Sequence, residues 1–143
     1  MRLIAAAALI LGAAVFLARP APAATLVLEV TGLRSVKGSL HYAVYDRAEN
    51  FPTRNGRVAT GQPKVTGSSM VIRVSGLKPG RHAVAIFHDE NCNDEFDQGL
   101  FGIPLEDYAF SNNVMGFFAA PSFEAASFAL TEPETRISIR IDE

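Results

Sequence analysis

The run Arg136-Ile137-Ser138-Ile139-Arg140-Ile141, near the end of the chain, decides the fold class. Isoleucine alternates with arginine or serine, and successive side chains on a strand point to opposite faces, so this period of two predicts a surface strand with one wet face. A second run, Ala83-Val84-Ala85-Ile86-Phe87, has no polar face and predicts a central strand covered on both sides. Outward from these, strand-length runs rich in β-branched and aromatic residues fall at Thr25–Val30, Ser39–Tyr45, Met70–Val74, His82–His88, Ala126–Leu130 and Arg136–Ile141. A weaker one lies between Arg57 and Val65, where Gly61 and Pro63 favour an edge strand or an ordered loop.

After the first residues no window keeps an apolar stripe at helical spacing, and the connections are rich in Gly, Pro, Asn and Ser. The expectation is an all-β chain: one immunoglobulin-like or transthyretin-like antiparallel β-sandwich of about seven strands, with a long acidic and aromatic loop. Gly76-Leu77-Lys78-Pro79-Gly80 reads as a tight turn into the buried strand. It resembles the turn of transthyretin-like and collagen-adhesin B-type sandwich modules, a likeness that bears on the fold alone.

The chain has 143 residues, is 48% hydrophobic and 20% charged, and carries a formal net charge of −2. That charge is too near neutral for the phosphate electrostatics of nucleic-acid binding, so nucleic acid is excluded as an expected partner. Met1 and Arg2 precede an uncharged stretch from Leu3 to Ala18, then Arg19-Pro20-Ala21-Pro22-Ala23-Ala24. Small residues at Ala21 and Ala23 fit a signal-peptidase site, which predicts a signal peptide over 1–23 and a single mature domain over 24–143. The alternative, an uncleaved anchor, has to contend with an apolar run shorter than the ~20 residues that span a bilayer. No stable membrane span is expected after cleavage, and no cysteine sits where a lipoprotein would need one. The expected location is periplasmic or secreted. Cys92, the single cysteine, has no partner for an internal disulfide.

Between Arg81 and Arg136 there is no Lys or Arg, while Asp89, Glu90, Asp94, Glu95, Asp97, Glu106, Asp107, Glu124, Glu132 and Glu134 fall in that stretch. Carboxylates so crowded repel unless solvated or sharing a cation. Asp89-Glu90-Asn91-Cys92-Asn93-Asp94-Glu95-Phe96-Asp97 places oxygen side chains at positions 1, 3, 5 and 9 of a loop. Calcium-binding loops use that spacing, with a backbone carbonyl at position 7, so the candidate ligands are Asp89, Asn91, Asn93, the Glu95 carbonyl and Asp97. Position 6 is Asp94 rather than Gly, position 12 is Leu100 rather than Glu, and the flanks read as strands, so this is not an EF-hand. Glu106 or Asp107 lies within chain reach to complete the shell. The competing reading is a solvated loop in which Asp89, Asn91 and Asn93 make Asx-turns.

From Gly99 to Pro121 no regular element is expected, extending the acidic loop over 89–121. Segments this long outside regular structure are usually functional. Phe101, Tyr108, Phe110, Phe117 and Phe118 either line a site or plug the end of the sandwich; Phe117 and Phe118 fit the plug better. Tyr108, Phe110, Ser111, Asn112 and Asn113 are the candidate partner-binding residues, facing an unidentified periplasmic or cell-surface protein or glycan.

Three segments then carry a resemblance: His88-Asp89-Glu90-Asn91-x-Asn93; Gly102-Ile103-Pro104-x-Glu106-x-Tyr108-x-Phe110-Ser111-Asn112-Asn113; and Pro121-Ser122-Phe123-Glu124-x-Ala126. The chain resembles the exported bacterial family called domain of unknown function 2141 across the expected mature domain. The likeness implies a periplasmic or secreted single-domain β-protein with no assigned activity. This chain departs from the family at Cys92 and Asp94, where small residues or Gly are more usual.

Enzyme readings find little support. His82 and His88 share a strand face about six residues, or ~20 Å, apart and cannot chelate one ion. Ser111 sits in Phe-Ser-Asn-Asn, without the G-x-S-x-G elbow of a hydrolase. A pair such as Glu106 with Asp97 could act on a glycosidic bond, leaving a metal- or carboxylate-dependent hydrolase as the alternative to a calcium-stabilised binding module.

Overall fold

The computed structural model describes residues 21–116 and 119–141. The expected signal segment lies almost wholly outside them, as do Phe117 and Phe118. Among the described residues eight strands form two packed sheets: β1 (Ala24–Thr31), β2 (Ser39–Tyr45), β3 (Arg57–Gly61), β4 (Ser69–Leu77), β5 (Gly80–Asp89), β6 (Tyr108–Phe110), β7 (Phe128–Leu130) and β8 (Glu134–Arg140). One sheet has the order β4-β1-β8; the other runs β3-β2-β5-β6, with β7 also paired to β5. The architecture is the all-β sandwich that the alternating runs imply.

Alternation explains which side of each strand is buried. Leu26, Leu28 and Val30 of β1, Ile72 and Val74 of β4 and Ile139 of β8 meet Leu40, Val44, Val84 and Ile86 from the other sheet in one core. Each such side chain removed from water contributes about 1.5–3 kcal/mol. β8 lies at a sheet edge, with Ile139 inward and Arg136 bonded to Glu29 on the outer side, as its pattern requires. It runs parallel to β1, however, with Leu28 opposite Ile137, so the sandwich is not wholly antiparallel. β3 is an edge strand, which its Gly and neighbouring Pro anticipate.

Two local expectations are corrected. Ala126, expected to open a strand, instead ends a short helix α1 (Phe123–Ala126), because the Ser122 hydroxyl accepts the Ala125 N–H at 3.2 Å and caps it. Tyr108–Phe110, expected to be loop, is β6: Ile86 pairs with Ala109 and Phe87 with Tyr108. Between Leu77 and Gly80 only Lys78 and Pro79 intervene, and this corner carries the chain from the three-stranded to the five-stranded sheet.

The five-stranded sheet is also covered on its outer face. Ala43, Tyr45, Ala83 and Phe110 join Phe123 and Ala126 in a second cluster, with Phe51, Ala85, Tyr108 and Val114 packed against it. β5 is therefore apolar on both faces over Ala83–Ile86 for a physical reason: Val84 and Ile86 serve the inter-sheet core, and Ala83 and Ala85 this outer cluster.

Candidate functional site

The acidic loop begins where β5 leaves the sheet, and the β2–β5 register decides what it meets. Ser39 pairs with Asp89 and His41 with Phe87. His41 thus shares the outer face with Asp89, placing its Nε2 3.3 Å from Asp89 Oδ2 and 3.6 Å from Asp94 Oδ1. The loop then doubles back, with Leu105 N–H donating to the Asp97 carbonyl and His88 N–H to the Asp107 carbonyl.

Asp89 is 0% exposed, and its carboxylate is satisfied by the chain that follows it. Oδ1 accepts the N–H groups of Cys92 at 2.7 Å and Asn93 at 3.3 Å, and Oδ2 accepts that of Asp94 at 2.9 Å. Wrapping the backbone around one carboxylate requires left-handed residues, found at Cys92 (φ 60°) and Asp94 (φ 61°). These are the two positions at which the chain departs from the Gly or small residues of its resemblance.

The remaining predicted ligands converge elsewhere in the loop. Asn91 Nδ2 donates to Asp97 Oδ2 at 2.6 Å, and Asn93 Nδ2 lies 3.0 and 3.1 Å from the two Asp97 oxygens. Asn91 Oδ1 accepts the Asn93 N–H and Asn93 Oδ1 the Glu95 N–H, so Asx-turns are present as well. The structure brings Asn91, Asn93 and Asp97 together, while the close acidic group containing Asp89 comprises His41 and Asp94.

Glu106 braces this arrangement: its Oε2 accepts the Asp97 N–H at 3.1 Å. Burial holds the Glu106 carboxyl above its usual range, opposed by that N–H; the charges of Asp89 and Asp97 raise it further, and His88 lowers it. Asp107 is paired with Arg34, whose Nε donates to Asp107 Oδ2 at 2.8 Å. His88, Glu90, Asn91, Asp97, Glu106, Asp107, Arg34 and Leu105 together line a cavity of 380 Å³.

A larger concavity of 620 Å³ opens on the outer face of the five-stranded sheet. Its floor includes Ala43 and Ala85, which are cross-strand partners, so two small side chains leave room between larger ones. Around them the rings form a chain. His41 stacks on Phe87 at 4.5 Å, Phe87 meets Phe96 at 5.4 Å, Phe96 meets Tyr108 at 5.7 Å, and Tyr108 meets Phe110 at 5.9 Å. Phe101, fully exposed, and Ile103, 61% exposed, stand at its lip.

Of the predicted partner-binding residues, Tyr108 and Phe110 line this concavity; Ser111 is buried, and Asn112 and Asn113 are exposed residues whose side chains bond to backbone. The Ser111 hydroxyl accepts the Val84 N–H at 2.9 Å and donates to the Ala126 carbonyl at 2.5 Å. Asn112 donates to the carbonyls of Ala125 and Ser127, and Asn113 Oδ1 accepts the Arg140 N–H. Ser111 also sits against Val84, four strand positions or ~13 Å from His88, so the two do not form a hydrolytic pair. The sequence reading missed His41, because only the β2–β5 register brings it to the loop.

A family model described as "Uncharacterized protein conserved in bacteria (DUF2141)" matches residues 28–138. The chain belongs to that family, domain of unknown function 2141. No curated protein and no solved structure matches it. Among the described residues no helix is long and apolar enough to cross a membrane.

Proposed function

We propose that the protein is an exported, periplasmic or secreted binding module in which one calcium ion orders the 89–97 loop beside the aromatic concavity. Residues 1–23 would be the signal peptide and 24–143 the mature domain. The observation that carries the reading is the convergence of Asn91 and Asn93 on the Asp97 carboxylate, at positions 3, 5 and 9 of the loop. Turning both amides over would present two further oxygens to the same point, to be joined by the Asp97 carboxylate and the Glu95 carbonyl, while Asp89, the first residue of the ligand pattern, holds the loop backbone beneath them through the N–H groups of Cys92, Asn93 and Asp94. That turn gives up the two Asx hydrogen bonds and the amide donations to Asp97, which the ion's own bonds to the same oxygens would replace.

The loop backs onto the concavity through Phe96, which lines it. Exposed Phe101 and Ile103 at the lip supply the apolar contact, and Tyr108 the polar edge, for a periplasmic or cell-surface protein or a glycan. Calorimetric titration of the EDTA-stripped protein with Ca²⁺ tests the metal site: one site is expected, lost in Asp97→Ala and kept in Ala85→Leu, which fills the concavity instead.

A second reading, a carboxylate-dependent hydrolase, draws on Glu106 being raised beside Asp97, the environment of a general acid next to a base. It predicts that Asp97→Asn and Glu106→Gln abolish turnover with the fold intact, whereas the binding reading predicts no turnover to lose.

A further inference from the structure

We infer that the basin around His88 binds a divalent cation of the zinc class, through donors other than the calcium ligands. His88 is 0% exposed at the end of β5, and its Nε2 lies 2.7 Å from the Lys37 carbonyl. A carbonyl oxygen only accepts, so Nε2 carries the proton and Nδ1 is the lone-pair nitrogen of the neutral ring. Nδ1 is buried without a hydrogen-bond partner, and so is Oε1 of Glu106 across the same 380 Å³ cavity. Buried polar atoms are seldom left unpaired, and two around one cavity point to a shared ligand.

The anionic groups are placed to serve it. Glu90 Oε1 is 3.8 Å from His88 Nδ1, beyond hydrogen-bonding distance, and His88, Glu90 and Asp107 each hold a ligand atom within 4.8 Å of the other two. The Glu90 side chain is 46% exposed, free to swing in the short distance that bonds of about 2.0–2.2 Å require. Outer partners are already in position: the Lys37 carbonyl on His88, the Arg34 guanidinium on Asp107 and the Asp97 N–H on Glu106. One imidazole nitrogen among carboxylate oxygens suits zinc better than calcium or magnesium, which take oxygen alone. The other histidine group, His41 with Asp89 and Asp94, is weaker, because the Asp89 oxygens already hold three N–H groups.

Zinc uptake by the purified protein, measured against a chromophoric chelator in saturating calcium, tests the site. One equivalent is expected, with affinity lowered at least tenfold in His88→Asn, Glu90→Gln and Glu106→Gln and unchanged in His41→Gln. Glu90 is exposed, so its variant keeps the test decisive should His88→Asn fail to fold. Absence of zinc uptake by the wild type, wild-type affinity in Glu90→Gln and Glu106→Gln, or loss confined to His41→Gln would overturn the inference. Loss of calcium binding with zinc retained would refute only the calcium reading.

Discussion

Gly38 approaches the Asp89 carbonyl so closely that a methyl group on it would lie 1.8 Å from the oxygen. Its φ of +66° is also one that L side chains rarely adopt. The Gly38 carbonyl in turn accepts the Val65 N–H at 3.1 Å, tying this turn to the segment after β3. The first residue of the loop is therefore held by a backbone contact that only glycine permits. Gly38→Ala is expected to destabilise the protein by roughly 2–4 kcal/mol, read as a lower urea midpoint. A midpoint equal to that of the wild type would show that the contact relaxes freely.

Ser111 separates the structural role of its segment from a binding role. With its hydroxyl bonded to Val84 and Ala126 in the interior, Ser111→Ala leaves buried backbone groups unpaired and should cost about 1–3 kcal/mol in equilibrium denaturation. Calcium affinity should stay unchanged in the same variant, since Ser111 touches none of the loop oxygens.

Cys92 pays for its left-handed backbone, and its side chain is exposed. Cys92→Gly removes a cost of about 1–2 kcal/mol while adding unfolded-state freedom, for a net gain of roughly 0.5–1 kcal/mol. Denaturant unfolding of the two proteins side by side measures it, and a lower midpoint for the glycine variant would count against the strain.

On the outer side of the three-stranded sheet, Arg136 and Ser138 hold the Glu29 carboxyl below its usual range by hydrogen bonding. A carboxyl depressed in the folded state stabilises above its unfolded value and loses that contribution as pH falls through the folded value. The melting-temperature difference between wild type and Glu29→Gln should thus be present at neutral pH and shrink as the pH falls below the carboxyl's ordinary value of 4.5. A difference that grows as the pH is lowered would reverse the assignment.

Much of the sandwich was legible because alternation and turn chemistry act locally. Ser39–Tyr45 coincides with β2, and the two-sided apolar run at Ala83–Phe87 lies in the interior strand β5. Tyr108–Phe110 was not legible, since three residues carry too little period and the strand exists through its pairing with β5. The parallel course of β8 likewise depends on the route of the chain between sheets. Within the loop, the spacing of Asn91, Asn93 and Asp97 brought together the residues that do converge, whereas His41 and the orphaned Nδ1 of His88 emerge only from strand register and burial.

Thermal melts of the protein in EDTA and across a calcium series, beside Asp97→Ala and a magnesium control, report whether calcium orders the 89–97 loop. A calcium-specific rise of about 5–10 °C at saturation is expected, absent in Asp97→Ala and not reproduced by magnesium. Identical melting temperatures under all conditions would contradict it and leave the 89–97 segment a loop held by its Asx-turns alone.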